Sequence, residues 1–294
     1  MRILITGGTG FIGQQLQWPL SSQGHEVVIL GRNVPTNNER FCRVDLTKEL
    51  IPPEALKGVG AIIHLAGMPI FGKWTSKFKL DLYDNRITTT MNLVQSLKQV
   101  KKKPKTLISS SGVGFYGDRG DEELKENADS GDDFLSTLCQ HWESEALNAE
   151  NLGIRTVILR TAPVLGNQGV IQQLLPLFRA GFGGKLSNGR QWFPWVYQDD
   201  VIRGYLFALE KTRLQGVINL SSPTPVKNKD FTKLMAKVLR RPAWLTIPKF
   251  ALRWNYGELA DSIIASQRVI PEKIEKAKFS FEYSELESAL SKLL

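Results

Sequence analysis

The chain has little cysteine and little histidine. Two cysteines, Cys42 and Cys139, stand among 294 residues, which excludes a disulfide framework and points to a reducing, cytoplasmic compartment. The three histidines, His25, His64 and His141, share no metal-ligand spacing with one another or with another ligand, so no metal is expected. No apolar run approaches the roughly 20 residues of a membrane span, and the first residues enter a strand pattern directly, with no signal-peptide pattern. Repeats, low-complexity tracts and long linkers are missing as well. Acidic residues are the scarcer sign of charge: 38 Lys and Arg against 29 Asp and Glu leave +9. A basic balance permits nucleic-acid binding. The clearest cluster, Lys101-Lys102-Lys103 with Lys105, however, lies between a helix and a strand pattern, where solvated loop lysines are ordinary, and no aromatic-interleaved basic motif accompanies it. An anionic small molecule uses the charge more simply. Neither nucleic acid nor a membrane is expected as a partner.

Glycine is not scarce, and its placement is the most informative feature. Residues 2–13 read Arg-Ile-Leu-Ile-Thr-Gly-Gly-Thr-Gly-Phe-Ile-Gly. The apolar run Ile3-Leu4-Ile5 fits a strand buried on both faces. Gly7, Gly10 and Gly13 follow at three-residue spacing and lead into a helical pattern. In that context Gly7 permits the tight turn, Gly10 lets the backbone approach a pyrophosphate, and Gly13 lets helix and strand pack closely. The helix start offers free N–H groups and a positive dipole end, so Thr9, Phe11 and Ile12 join the three glycines as expected dinucleotide contacts. After a helix over about 11–23, Glu26 to Leu30 reads as the second strand. An acidic residue at its end holds the ribose 2′-hydroxyl of NAD; here Gly31-Arg32 stands there. A guanidinium can pair with a 2′-phosphate, which favours NADP(H).

Strand and helix patterns then alternate, as in a parallel sheet covered on both faces. Strands are expected over 60–67, 106–111 and 154–159, and helices over about 76–100 and 134–151. Ligands of such sheets sit beyond the carboxyl ends of the strands. That rule gathers Gly7–Gly13, Arg32, Leu65-Ala66-Gly67, Ser109-Ser110-Ser111 and Arg160 to Pro163 around one crevice. From about 165 short elements interrupted by glycine take over. There Trp192-Phe193-Pro194-Trp195 brings three aromatics together, either as a substrate-pocket wall or as a satellite core. Asp199 and Asp200 follow, one of them suited to cap the next helix. The expected architecture is α/β: a Rossmann-like, doubly wound parallel sheet over 1–165 that also receives later strands, and a smaller α+β lobe over 166–294.

Taken together, Thr6 to Gly13, His64-Leu65-Ala66-Gly67, Ser109-Ser110-Ser111 with Tyr116-Gly117, and Arg160 with Val164-Leu165-Gly166 resemble the extended short-chain dehydrogenase/reductases, the sugar-nucleotide epimerase/dehydratase superfamily. Trp192 to Val196 and Ser266 to Pro271 resemble, more narrowly, the epimerase-family proteins with a C-terminal domain of unknown function, here 245–294. The resemblance covers nearly the whole chain and implies a Rossmann-like fold and NADP(H) binding, with no settled substrate.

Two departures from that pattern stand out. The superfamily uses a Tyr-x-x-x-Lys pair, in which the lysine holds the nicotinamide ribose and lowers the phenol's pKa. Aligning Glu143 with the superfamily's glutamate puts Leu135 at the tyrosine and Cys139 at the lysine. On the preceding long helix Arg86 replaces an asparagine, with Asp81 a little before it; both are candidate cofactor or substrate contacts or, equally, a surface ion pair. With the usual pair missing, Ser111 and Tyr116 are the remaining catalytic candidates. Two functions follow: an NADP(H)-dependent oxidoreductase or epimerase-like enzyme on a small polar substrate, or a catalytically silent NADP(H)-binding module. Either is expected as a monomer or a homodimer.

Overall fold

Seven apolar runs assemble into one sheet in the computed structural model, which describes residues 1–35 and 38–294. They are β1 (Arg2–Thr6), β2 (Glu26–Gly31), β3 (Phe41–Arg43), β4 (Val59–His64), β5 (Thr106–Gly112), β6 (Arg155–Thr161) and β7 (Gly216–Leu220). All pair in parallel, in the spatial order β7-β6-β5-β4-β1-β2-β3. Side chains alternate across such strands. Ile3 and Ile5 therefore face one side, with Leu16 and Leu20 of α1 (Phe11–Ser22) and Val201 and Tyr205 of α4 (Gln198–Glu210). Leu4 faces the other, with Val28, Ile62, Leu107 and Leu93 and Leu97 of α2 (Ser76–Lys98). The helix α3 (Phe134–Leu147) packs beside α2 on that second face and reaches β5 and β6. Each such fully buried aliphatic side chain contributes about 1.5–3 kcal/mol. The fold is thus the doubly wound Rossmann-like α/β arrangement.

Local signals set the helix ends. The Thr75 hydroxyl accepts from Phe78 N at α2, and Asp133 Oδ1 accepts from Ser136 N at α3. Gly10 begins α1 and has no side chain to do the same. The helix expected to run to 151 ends at Leu147; Asn148–Leu152 tightens into a 3-10 turn closed by Gly153 at φ +75°.

The chain leaves β1 for β2 and β3, then crosses back to β4 on the other side of β1. That reversal opens a crevice between the loops after β1 and β4. Much of the chain after β6 forms helices and short two-stranded pairs, 164–165 with 196–197, 184–186 with 245–247, and 192–193 with 226–227, while Val269, Ile274 and Phe279 join the core beside Ile3 and Ile5. The lobe so formed has its own core of Phe178, Trp195, Phe231, Met235 and Leu290.

Candidate functional site

The two loops at the crevice touch. Gly7 has φ +70°, and a Cβ there would lie 2.8 Å from Ala66 N. A Cβ on Gly13 would lie 2.5 Å from Gly8 Cα, so Gly13 is what lets α1 start directly on the loop. Gly10 differs: the nearest atom to its Cβ would be Gly7 O at 3.2 Å, and the residue is exposed. Two glutamines of α1 take the loop carbonyls, Gln14 Nε2 donating to Thr9 O and Gln17 Nε2 to Gly8 O, both at 2.8 Å. The first N–H groups of α1, on Phe11, Ile12 and Gly13, have no capping side chain. Uncapped helix donors beside a glycine loop form an anion site. The Phe11 ring lies against Gly166, where an added Cβ would meet it at 2.7 Å.

Gly7, Thr9, Gly10, Arg32, Ala66, Gly67, Asn85 and Thr89 line one cleft of about 240 Å³. Arg32 also borders an adjoining depression with Asn33, Arg43, Asp45, Lys48 and Glu49. Three cationic side chains against two carboxylates leave that end positive. Asp45, which follows the three-residue β3, was not expected in the site. Burial raises its pKa, but hydrogen bonds from Thr47 and the charge of Arg32 outweigh that and hold the carboxyl below its usual range.

A buried histidine holds the second loop. His64 ends β4 with no solvent exposure. Thr90 Oγ1 donates to Arg86 O at 2.8 Å, so His64 Nε2 is the donor in its 3.0 Å bond to Thr90 Oγ1. Nδ1 is then the acceptor from Thr6 Oγ1 at 2.7 Å, which fixes the Nε2–H tautomer. Thr6 Oγ1 accepts in turn from Ala66 N at 3.2 Å, and Leu65 N donates to Thr6 O at 3.0 Å. Burial, aided by the charge of Arg86, lowers the His64 pKa to about 3. Asn85 Oδ1 accepts from Met68 N at 2.7 Å and Arg86 Nη2 donates to Met68 O at 3.0 Å, completing the loop's attachment to α2.

Beyond the cleft lies a closed polar chain. Ser111 Oγ donates to Glu143 Oε1 at 2.6 Å. Arg160 grips the same carboxylate, Nε to Oε1 at 2.8 Å and Nη2 to Oε2 at 2.7 Å. Arg160 Nη1 donates to Tyr116 Oη at 3.1 Å, and Tyr116 Oη donates to Asn219 Oδ1 at 2.7 Å. This corrects three expectations. Tyr116 is wholly buried and its hydroxyl is committed, so it cannot meet a substrate; burial raises its pKa, only partly offset by Arg160. Arg160 points into the protein toward Glu143 instead of toward a cofactor. Ser109, 1% exposed, is enclosed within the sheet, and Ser111, one residue before the strand's end, is buried as well at 6%. Pro163 stands past β6 with its carbonyl engaged by Val196 N. At the two altered positions, Leu135 fills the space over Gly114, and the Cys139 thiol is buried, its pKa pushed up to about 12 by burial and then by Glu143.

The remaining candidates fall outside the crevice. Asp81 is exposed and pairs with Lys77 at 2.6 Å, away from Arg86. Trp195 is wholly buried, its Nε1 donating to Thr224 O, and belongs to the lobe's core. Phe193 packs on Phe231 at 4.7 Å between ring centres. Trp192 is held by Asp121 through Nε1 at 2.6 Å, with Lys227 and Arg268 on its ring. The aromatic run is therefore packing, not a continuous wall. Neither Asp199 nor Asp200 caps α4; Tyr197 stands at the cap, and Asp200 is buried, accepting from the N–H groups of Glu282 and Tyr283.

Comparison with known proteins agrees with this fold. The model of the NAD dependent epimerase/dehydratase family matches residues 3–221, and a domain of unknown function (DUF1731) matches residues 247–293. The epimerase family protein YfhF of Bacillus subtilis is 39% identical over 297 residues, covering 100% of this chain and 98% of that protein. The chloroplastic SDR39U1 homolog of Arabidopsis thaliana is 32% identical over 302 residues, covering 100% and 87%. Among solved structures, human epimerase family protein SDR39U1 (isoform 2) with NADPH aligns at a TM-score of 0.90 and 29% identity, covering 100% and 99%. UDP-glucuronic acid 4-epimerase from Bacillus cereus, in complex with NAD, shares the fold at a TM-score of 0.80 and 22% identity, covering 100% and 97%. With these two models spanning most of its length, the chain belongs to the NAD dependent epimerase/dehydratase family and, within it, to the epimerase family proteins that carry the DUF1731 domain.

Proposed function

We propose that the chain binds NADP(H) in the crevice between β1 and β4 and acts on a small polar substrate as an oxidoreductase or epimerase-like enzyme. The observation that carries this reading is the uncapped start of α1 at Gly10, opening into the same cleft as Arg32. The helix N–H groups and the Gly7–Gly13 backbone would hold the pyrophosphate, and Arg32 the 2′-phosphate. Ala66 and Gly67, fixed by the Thr6–His64 link, would form the floor under the cofactor. The presence of NADPH on human SDR39U1 supports the same preference.

When bound, the nicotinamide would accept or donate hydride. The protein's part is to orient, to exclude water and to handle a proton. Ser111 gives its own proton to Glu143, so toward any substrate that reaches it the oxygen would only accept. It suits a substrate hydroxyl, not an oxyanion. NADPH and NADH titrations by fluorescence test the binding: NADPH should bind about one to two decades more tightly. Equal affinities would remove the 2′-phosphate assignment.

A second reading has its own support. Leu135 cannot move a proton, and the Cys139 thiol, at about 12, does not ionise near neutral pH. A silent NADP(H)-binding module would look like this. Turnover of bound NADPH with any carbonyl substrate would exclude it.

A further inference from the structure

Among the described residues, Arg86 is a cation without a counter-charge. It projects from α2 one position past the cleft-lining Asn85. Its Nη1 would lie 3.0 Å from a Cβ on Gly67, and its guanidinium lies 4.3 Å from the centre of the Trp142 ring. Among the described residues it joins no ion pair. Asp81, on the same helix, is paired with Lys77, and Glu143, next in sequence to Trp142, is paired with Arg160. One Nη2 bond to Met68 O is the guanidinium's only hydrogen bond found among the described residues. Below it, Trp142 is 5% exposed with an Nε1 that has no partner among them. A half-buried guanidinium is costly to leave uncompensated. Burial lowers its pKa to about 10, which still leaves it charged at neutral pH.

The negative groups of a dinucleotide have other receivers, the α1 start for the pyrophosphate and Arg32 for the 2′-phosphate. Ribose hydroxyls carry no charge to offset a guanidinium. Arg86 sits past Gly67, on the side of Cys139, which in turn neighbours Ser111. That is where a substrate would meet the reactive end of the cofactor. We infer that Arg86 receives a carboxylate of the substrate, and that the site takes a small polar molecule bearing a carboxylic acid. The inference rests on the nucleotide assignment above. A carboxylate matches the flat, forked donor set of a guanidinium whose opposite face is covered by an indole.

Acetate is the probe. The protein, saturated with NADPH, is titrated with sodium acetate against sodium chloride at equal ionic strength and against acetamide, the neutral isostere. Melting temperature and bound-NADPH fluorescence are the readouts. Acetate should bind saturably where chloride and acetamide do not. Arg86→Met should weaken acetate about tenfold or more while NADPH affinity stays within about threefold. Arg86→Lys keeps the charge without the fork and should show a smaller loss; it serves alone if Arg86→Met does not fold. Acetate binding no better than acetamide overturns the inference, as does acetate binding unchanged in the variants. A tenfold fall in NADPH affinity would make Arg86 a cofactor residue instead. A wild type that binds no NADPH ends the nucleotide reading and this inference together; NADPH bound without acetate ends only this one.

Discussion

Glu143 and Arg160 meet side-on through two bonds, at 2.8 and 2.7 Å, with side chains only 5% and 4% exposed. A buried pair of this kind says little about net stability, but removing one partner strands the other. Glu143→Gln and Arg160→Met are each expected to destabilise by about 3–5 kcal/mol, and the double variant by less than their sum. Urea unfolding of the four proteins decides it. Single losses under about 1 kcal/mol would mean that water reaches the pair.

Arg32→Ala should weaken NADPH by about one to two decades and leave NADH nearly unchanged, because only NADPH carries the 2′-phosphate. Fluorescence titration of both cofactors measures the difference. A parallel loss for the two would place Arg32 elsewhere on the cofactor.

The loop glycines should separate by phenotype. A side chain at Gly10 meets one carbonyl oxygen at 3.2 Å and otherwise enters the cleft, whereas one at Gly13 meets Gly8 at 2.5 Å. Gly10→Val should fold with a small change in melting temperature and fail to bind NADPH. Gly13→Val should lose stability whether or not cofactor is present. Circular dichroism melts alongside NADPH titration distinguish the two, and normal NADPH binding by Gly10→Val would remove the phosphate site from this loop.

His64 should make folding acid-sensitive. Its folded pKa, about 3, lies below its unfolded value near 6.5. Between those values the unfolded chain binds a proton that the folded one does not, so stability falls as pH drops through 6.5 toward 3. The expected loss attributable to this group is about 2 kcal/mol at pH 5 relative to pH 7. Comparing urea midpoints of wild type and His64→Gln at both pH values isolates it from the carboxylates. An equal pH response in the two would show that His64 is not kept neutral.

The glycine loop of the candidate site was legible in the sequence because it rests on what glycine lacks. Gly7 and Gly13 are required by contacts within a few residues or across one strand, and their spacing carries that information. Apolar runs such as Ile3-Leu4-Ile5 likewise announce a sheet covered on both faces. Tyr116 was misread because its partner Asn219 lies 103 residues away and Arg160 lies 44 away. Nothing local tells a buried phenol from one in a cleft. Asp45 follows a strand of three residues, too short to leave a pattern. Trp192 and Trp195 stand in one aromatic run, yet Asp121 holds one at the surface and Thr224 holds the other in the core. His64 looks like a lone core histidine until Thr6, 58 residues earlier, is brought against it.

Strand β7 completes the sheet beside β6, but the chain reaches it only after passing through much of the lobe. Asn219 within it also bonds Tyr116 and Leu124 O from the first half of the chain and Ile270 O from near its end. During synthesis, β6 therefore presents an unpaired edge from the emergence of Thr161 until that of Leu220. That gap of about sixty residues lasts roughly 3–12 s at about 5–20 residues per second. Ribosome-stalled chains ending near residue 200 should be cut by protease around β6, and chains carrying residue 220 well clear of the ribosome should resist. The vulnerable moment of this protein is thus set by translation speed over the lobe, and slow codons there would lengthen its exposure to aggregation and its need for a chaperone.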